Sequence, residues 1–299
     1  MSYYSFNNYL KERFGERVQK ITLDAGMTCP NRDGTKGLGG CVYCDSRGSG
    51  NDGSKKHPDI KTQVVEGKNF LSKRYKAKKF IAYFQSYSNT YASTEKLKEM
   101  YSQAVSVPDV VGLSIATRPD CLTEEVLELI STHSDRLMVW LELGMQTSCD
   151  ATLKRINRGH TYKEFVNGFK LARKYPVQIC VHAIIGLPGE SKKEMLVTAK
   201  ELAQLKPDGV KIHSLYVSKN TKLENMYHRK EFVPLSREEF VTIACDYLEL
   251  LPEKTVIHRL TGDPAPNELV APQWTLDKNQ TLQLIEKEIY RRQSRQRKQ

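Results

Sequence analysis

Cys29, Cys41 and Cys44 fall within sixteen residues of one another in a glycine-rich loop. Thiolates gathered this tightly bind metal more often than they pack a core. Three cysteines are one ligand short of a closed tetrahedral zinc site, and one thiolate short of saturating a cubane iron-sulfur cluster. One metal position is therefore open to a substrate or cofactor. A zinc ion would need a fourth ligand, and His57 and Asp45 are near enough in sequence to supply it. The cysteines alone leave a catalytic cluster and a zinc site both open. A disulfide is not expected, because the opening residues 1–10 are polar and aromatic, without an export signal, which implies a reducing compartment. Cys121, Cys149, Cys180 and Cys245 lie singly in or beside apolar segments and read as small buried hydrophobes.

The elements that must position this loop follow a repeating order. Apolar, β-branched runs at 18–23, 79–84, 110–116, 138–143, 178–185 and 209–215 predict strands. Helical spacing covers 62–75, 94–104, 123–133, 162–174 and 191–204 between them. Thr161 with Glu164, Ser191 with Glu194 and Ser236 with Glu239 have capping-box spacing. Strands separated by helices imply a parallel α/β sheet with right-handed crossovers. The expected architecture is a partial (β/α)6, TIM-like barrel over 18–235. It is preceded by a short segment (1–17) and followed by an extension packed on it (236–299). The extension reads as a helix at 236–251, a short strand at 255–260, a proline-rich loop at 262–272 and an amphipathic helix at 281–292. In such folds the site lies at the carboxyl ends of the strands.

Composition fits a large enzyme. With 299 residues and 39% hydrophobic content the chain can bury a sizeable core. No apolar run approaches the ~20 residues of a membrane span, so the expectation is a soluble, cytoplasmic protein with no membrane partner. The 46 basic and 35 acidic residues give a formal charge of +11, which favours polyanionic partners through counterion release. Basic residues concentrate at Lys73, Arg74, Lys76, Lys78 and Lys79, and again at Arg291, Arg292 and Arg295. Together the two runs point to an RNA surface.

Several segments carry a family resemblance: 29–34 (CPNRDG), 39–44 (GGCVYC), 116–120 (ATRPD), 142–147 (ELGMQT), 185–190 (IGLPGE) and 259–263 (RLTGD). On these the chain resembles the radical S-adenosylmethionine superfamily, in the branch of the elongator catalytic subunit. Over nearly its whole length it resembles the bacterial YtqA-type family, implicated in maturing the wobble uridine of tRNA. Eleven residues separate Cys29 from Cys41, where most of the superfamily has three, and longer gaps are found in the elongator-like branch.

The resemblance implies a 4Fe-4S cluster on Cys29, Cys41 and Cys44, with S-adenosylmethionine chelating the fourth iron and yielding a 5′-deoxyadenosyl radical. It also implies an electron donor such as flavodoxin or ferredoxin. Tyr43 corresponds to a position whose backbone contacts the adenine. Gln85, Ser86 and Asn89 follow the second strand, where many relatives have Gly-Gly-Glu for the methionyl amine. Thr117, Arg118 and Glu142 are candidates for the methionine and ribose portions, because a guanidinium matches a carboxylate and a carboxylate accepts ribose hydroxyls, and Gln146 is a further cofactor-binding candidate. Arg118 has Asp120 as an alternative partner. Gly186 and Leu187 would bring backbone to the adenine. His182, Lys211, His213, Lys219, His258 and Arg259 are candidates for meeting the substrate.

The leading expectation is a radical enzyme acting on tRNA, converting carboxymethylaminomethyl to aminomethyl on the wobble uridine. The alternatives are radical chemistry on a small metabolite or tetrapyrrole, and a zinc-stabilised RNA-binding protein without catalysis.

Overall fold

The computed structural model describes residues 3–48, 57, 59–293 and 296. Its centre is a seven-stranded, all-parallel sheet: β1 (Val18–Leu23), β2 (Lys79–Phe84), β3 (Val110–Thr117), β4 (Met138–Gln146), β5 (Gln178–Ile185), β6 (Gly209–Ser214) and, after the two-residue β7 (Val217–Ser218), β8 (Val256–Arg259). The strands follow chain order across the sheet, which curls into a half barrel. The six expected strands form, and the short strand of the extension joins the same sheet as a seventh, beside β6. β7 pairs antiparallel with β9 (Leu269–Ala271), inside the segment read as a proline-rich loop.

The crossovers are α2 (Ile60–Tyr75), α3 (Thr94–Val105), α4 (Glu124–Ser131), α5 (Asp150–Arg155) with α6 (Tyr162–Ala172), and α7 (Lys192–Leu205). α8 (Lys222–His228) and α9 (Arg237–Leu250) follow β7, α10 (Lys278–Arg291) closes the chain, and α1 (Phe6–Phe14) precedes β1. All three expected capping boxes form, at the starts of α6, α7 and α9. Each satisfies amides of a first helical turn that has no intrahelical acceptor. Among the described residues no helix is long and apolar enough to cross a membrane.

Strand alternation divides the core. Outward residues such as Phe80, Phe84, Leu113, Leu141 and Ile179 are buried under the helices, each large side chain contributing about 1.5–3 kcal/mol by leaving water. Inward residues form layers. At the amino ends of the strands Val18, Ile81, Trp140, Cys180 and Val256 pack against Phe6 and Leu10 of α1, which plugs that end of the barrel. Above this apolar layer the inward positions turn polar, and the cavity opens at the carboxyl ends.

Candidate active site

The cysteine loop joins β1 to α2 over the open end of the half barrel. Its course is set by local hydrogen bonds: the amides of Arg32 and Asp33 donate to the Cys29 carbonyl, and the amide of Cys44 donates to that of Cys41 at 3.0 Å. Gly40 has a left-handed backbone (φ +72°), and a Cβ there would meet the Arg32 side chain at 2.8 Å. The loop is tied to its surroundings through Val42, whose amide donates to the Ile156 carbonyl and whose carbonyl accepts from Leu223. Behind it, Val42 packs into an apolar cluster with Leu153, Ile156, Leu187 and Leu223.

Beneath the loop lies a cavity of about 260 Å³. Cys29, Cys41 and Cys44, all free thiols, share its wall. Two N–H groups approach the Cys41 sulfur: Nη1 of Arg158 at 3.7 Å and Nδ2 of Asn31 at 3.8 Å. Arg158 is buried, and its Nη2 donates to the Gly144 carbonyl at 2.7 Å. Any Cβ at position 144 would lie 2.6 Å from that nitrogen, so the approach requires glycine. Three thiols on one wall, with a guanidinium and an amide turned to the sulfur, suit an iron-sulfur cluster. Hydrogen bonds to sulfur and nearby positive charge both stabilise its anionic ligands. The two residues considered as a fourth zinc ligand are engaged elsewhere. His57 pairs with Glu66 at 2.8 Å and Asp45 with Arg47 at 3.0 Å.

The polar layer below is organised around Glu142, which is fully buried. Its Oε1 accepts from Lys20 at 2.5 Å and Ser114 at 2.7 Å. Its Oε2 accepts from His182 at 2.7 Å, Tyr83 at 3.0 Å and Lys211 at 3.3 Å. Burial alone would raise its pKa, but the ammonium groups of Lys20 and Lys211 and the bond from His182 hold it well below the usual carboxylate range. Burial pulls Lys211 down to about 8 despite Glu142, and His182 down to about 4, with Lys211 adding to the effect. At neutral pH His182 is therefore neutral and Glu142 ionised.

Most of the sequence candidates meet in this cavity. Tyr43, Gln85, Thr117, Arg118, Glu142 and Gln146 line it, as do His182, Lys211, His213 and Arg259. Glu142 was expected to meet a ribose, yet its two oxygens already serve five side chains. Arg118 is likewise committed: Nε and Nη2 form a bidentate pair with Asp120, both at 2.9 Å, and Nη1 donates to the Arg158 carbonyl at 2.8 Å. It positions Arg158 and leaves no donor pair for a cofactor carboxylate. The Thr117 hydroxyl is shared with Thr90 at 2.6 Å.

Six candidates lie outside the cavity wall. Asn89 donates to the Ala116 carbonyl and braces the loop after β2, whereas the buried Ser86 hydroxyl has no hydrogen-bond partner among the described residues. Gly186 packs against Leu235, and Leu187 supports the cysteine loop from behind. Lys219 donates to the Asn267 carbonyl on the surface. His258 belongs to the apolar layer, stacked on Phe6 at 4.0 Å and edge-on to Trp140 at 4.4 Å.

The expected RNA surface lies at the far end of the molecule. Lys73, Arg74, Lys76, Lys78 and Lys79 run from the end of α2 to the first residue of β2, at the amino ends of the strands. Lys79 also pairs with Glu16 at 3.3 Å. Arg291 is held by Glu288, and Arg292 by Glu288, Asp246 and Glu249, so their charge is largely neutralised within the protein. Arg295 lies outside the described residues. Exposed Lys154, Arg155 and Lys222 sit beside the cysteine loop instead, with Lys222 over Gly39 and Arg155 over Gly189.

Sequence reasoning missed Lys20, Tyr83 and Ser114, although alternation along their strands places all three inward. It also missed Arg158, which sits in a loop with no periodicity to mark it.

Comparison with known proteins agrees with this geometry. The chain matches the Radical SAM superfamily over residues 29–202 and the Radical SAM C-terminal domain over residues 207–291. It is 40% identical to "Uncharacterized protein YtqA" of Bacillus subtilis (strain 168) over 294 residues, covering 98% of this chain and 91% of that one. A partial match, 31% over 157 residues, relates it to the tRNA uridine(34) acetyltransferase of Methanocaldococcus jannaschii, covering 51% of this chain and 28% of that enzyme. In fold it superposes on the archaeal Methanocaldococcus infernus Elp3 with a TM-score of 0.72 at 20% identity, over 94% of this chain and 64% of that structure. The superfamily match spans the cysteine loop and the strands from β2 to β5. The chain belongs to the radical SAM superfamily, whose members use a 4Fe-4S cluster and S-adenosylmethionine.

Proposed function

We propose that this radical SAM enzyme modifies the wobble uridine of tRNA, converting a carboxymethylaminomethyl arm to aminomethyl. The observation that carries the reading is the cationic inner wall of the cavity. Lys211 and Arg259 line it beside the buried Glu142, whose charge Lys20 and Lys211 already balance, while the other lining carboxylates, Asp45 and Asp263, belong to the cysteine loop and to the segment after β8. The formal charge of +11 and the partial match to a tRNA uridine(34) enzyme support a tRNA partner.

Bound at the cysteine loop, the cluster and S-adenosylmethionine supply a hydrogen-abstracting radical. Cys29, Cys41 and Cys44 hold the cluster, Arg158 and Asn31 buffer its sulfur charge, and the barrel keeps the reacting methylene away from water. Loss of one hydrogen atom to that radical and of one electron from the carbon between the amine and the carboxylate, with the amine proton released to solvent, leaves an imine. Its hydrolysis gives the primary amine and a two-carbon oxo acid. The electron passes to a one-electron carrier of the flavodoxin or ferredoxin class.

Nucleosides from tRNA of cells with and without the gene test the proposal. Accumulation of the carboxymethylaminomethyl form and loss of aminomethyl products in the deletion strain is the expected result. Unchanged wobble nucleosides would favour the small-metabolite alternative.

A further inference from the structure

Arg259 ends β8 and lines the cavity next to Lys211. The register between β6 and β8 shifts there: Val210 pairs with Ile257, but Lys211 pairs with Arg259, skipping His258. Such a bulge re-aims a side chain. Here it turns Arg259 inward one position after His258 has already entered the apolar layer. The result is a guanidinium with no carboxylate counterpart among the described residues. Its Nε is buried without an acceptor, and among the described residues no carboxylate forms an ion pair with it. Glu142 is saturated by its five donors, and the exposed Asp263 at the rim pairs with Lys278 at 3.6 Å. The neighbouring His182 and His213 are held neutral by burial, with Arg259 itself contributing.

A partly buried guanidinium without an acceptor is unfavourable until something supplies one. Its planar fork matches a carboxylate in two parallel hydrogen bonds. We propose that Arg259, with Lys211 beside it, anchors the carboxylate of the substrate at the inner wall of the cavity. This rests on the tRNA reading, in which the arm ends in a carboxylate. It places that end deepest and leaves the methylene next to the amine on the side of the cysteines. Arg259 is then the residue that distinguishes a carboxylate-bearing arm from a neutral one.

The test uses the anaerobically reconstituted protein and an anticodon stem-loop carrying the carboxymethylaminomethyl arm. For Arg259→Gln, KM should rise about tenfold or more, the range of a charge-assisted pair, and Arg259→Lys should recover part of it. Iron content and S-adenosylmethionine affinity should stay at wild-type levels. A stem-loop with the arm as its carboxamide should show a comparable KM rise on the wild-type protein, which checks the anchor without any substitution. An unchanged KM for the carboxamide, or for an Arg259→Gln protein with full iron content, overturns the anchor alone. A wild-type protein that leaves the arm intact overturns the proposed function and the anchor with it.

Discussion

The Nζ of Lys20, on the first strand, lies 2.5 Å from Oε1 of Glu142, on the fourth, so the pair spans the interior of the half barrel. Lys211 reaches the other oxygen from the sixth strand. The carboxylate thus balances two ammonium groups held away from bulk water. Removing one partner of such a set leaves an uncompensated buried charge, at a cost of about 3–5 kcal/mol.

Glu142→Gln should therefore destabilise the apo protein by about that amount in urea unfolding. Adding Lys20→Met should recover part of the loss, because it removes one of the stranded ammoniums. A Glu142→Gln protein as stable as wild type would mean that the polar layer contributes no electrostatic coupling.

Glu190 supplies a pH dependence. Burial raises its carboxyl to about 7 from 4.5, against bonds from the Thr147 and Thr152 hydroxyls and with Glu194 adding to the rise. Between those values the folded protein holds a proton that the unfolded chain has released. This contribution to stability is complete below the unfolded value and is lost as pH rises through the folded one. The loss should be on the order of 2 kcal/mol between pH 5 and 8. Glu190→Gln should remove it, read as the difference in urea midpoints between variant and wild type at the two pH values. A wild-type difference identical to that of the variant would place the carboxyl near its ordinary pKa.

The placement of basic residues changes where RNA contacts are expected. Substituting Lys76, Lys78 and Lys79 together should leave the salt dependence of tRNA binding nearly unchanged, since they lie at the amino ends of the strands. Substituting Lys154, Arg155 and Lys222, beside the cysteine loop, should flatten the log–log slope by about three if each meets a phosphate. The reverse outcome in filter binding would put the RNA on the opposite end of the barrel.

Much of this was legible in the chain. The strands at 18–23, 79–84 and 178–185 form with those bounds, because β-branched runs bounded by helix signals leave little choice. The three capping boxes form because hydroxyl and carboxylate spacing is a purely local matter. The cysteine loop could be read because its ligands are close in sequence. The pairing of Arg118 with Asp120 could be read from their proximity, but its bond to the Arg158 carbonyl, forty residues away, could not. The inward turn of Arg259 depends on a register shift that alternation does not predict. His258, read from alternation as a possible substrate contact, does point inward, but the stacking of α1 under it closes that layer. The basic runs were clear as composition, whereas their position at the far end follows only from the direction of the strands.

The most direct test of the account is in vitro turnover with defined components. Anaerobically reconstituted protein, S-adenosylmethionine and a one-electron reductant are incubated with tRNA bearing the carboxymethylaminomethyl arm, and the digested nucleosides are resolved by mass spectrometry. Aminomethyluridine should form alongside 5′-deoxyadenosine, and neither product should form with Cys41→Ala. An unaltered arm in the presence of 5′-deoxyadenosine would contradict it.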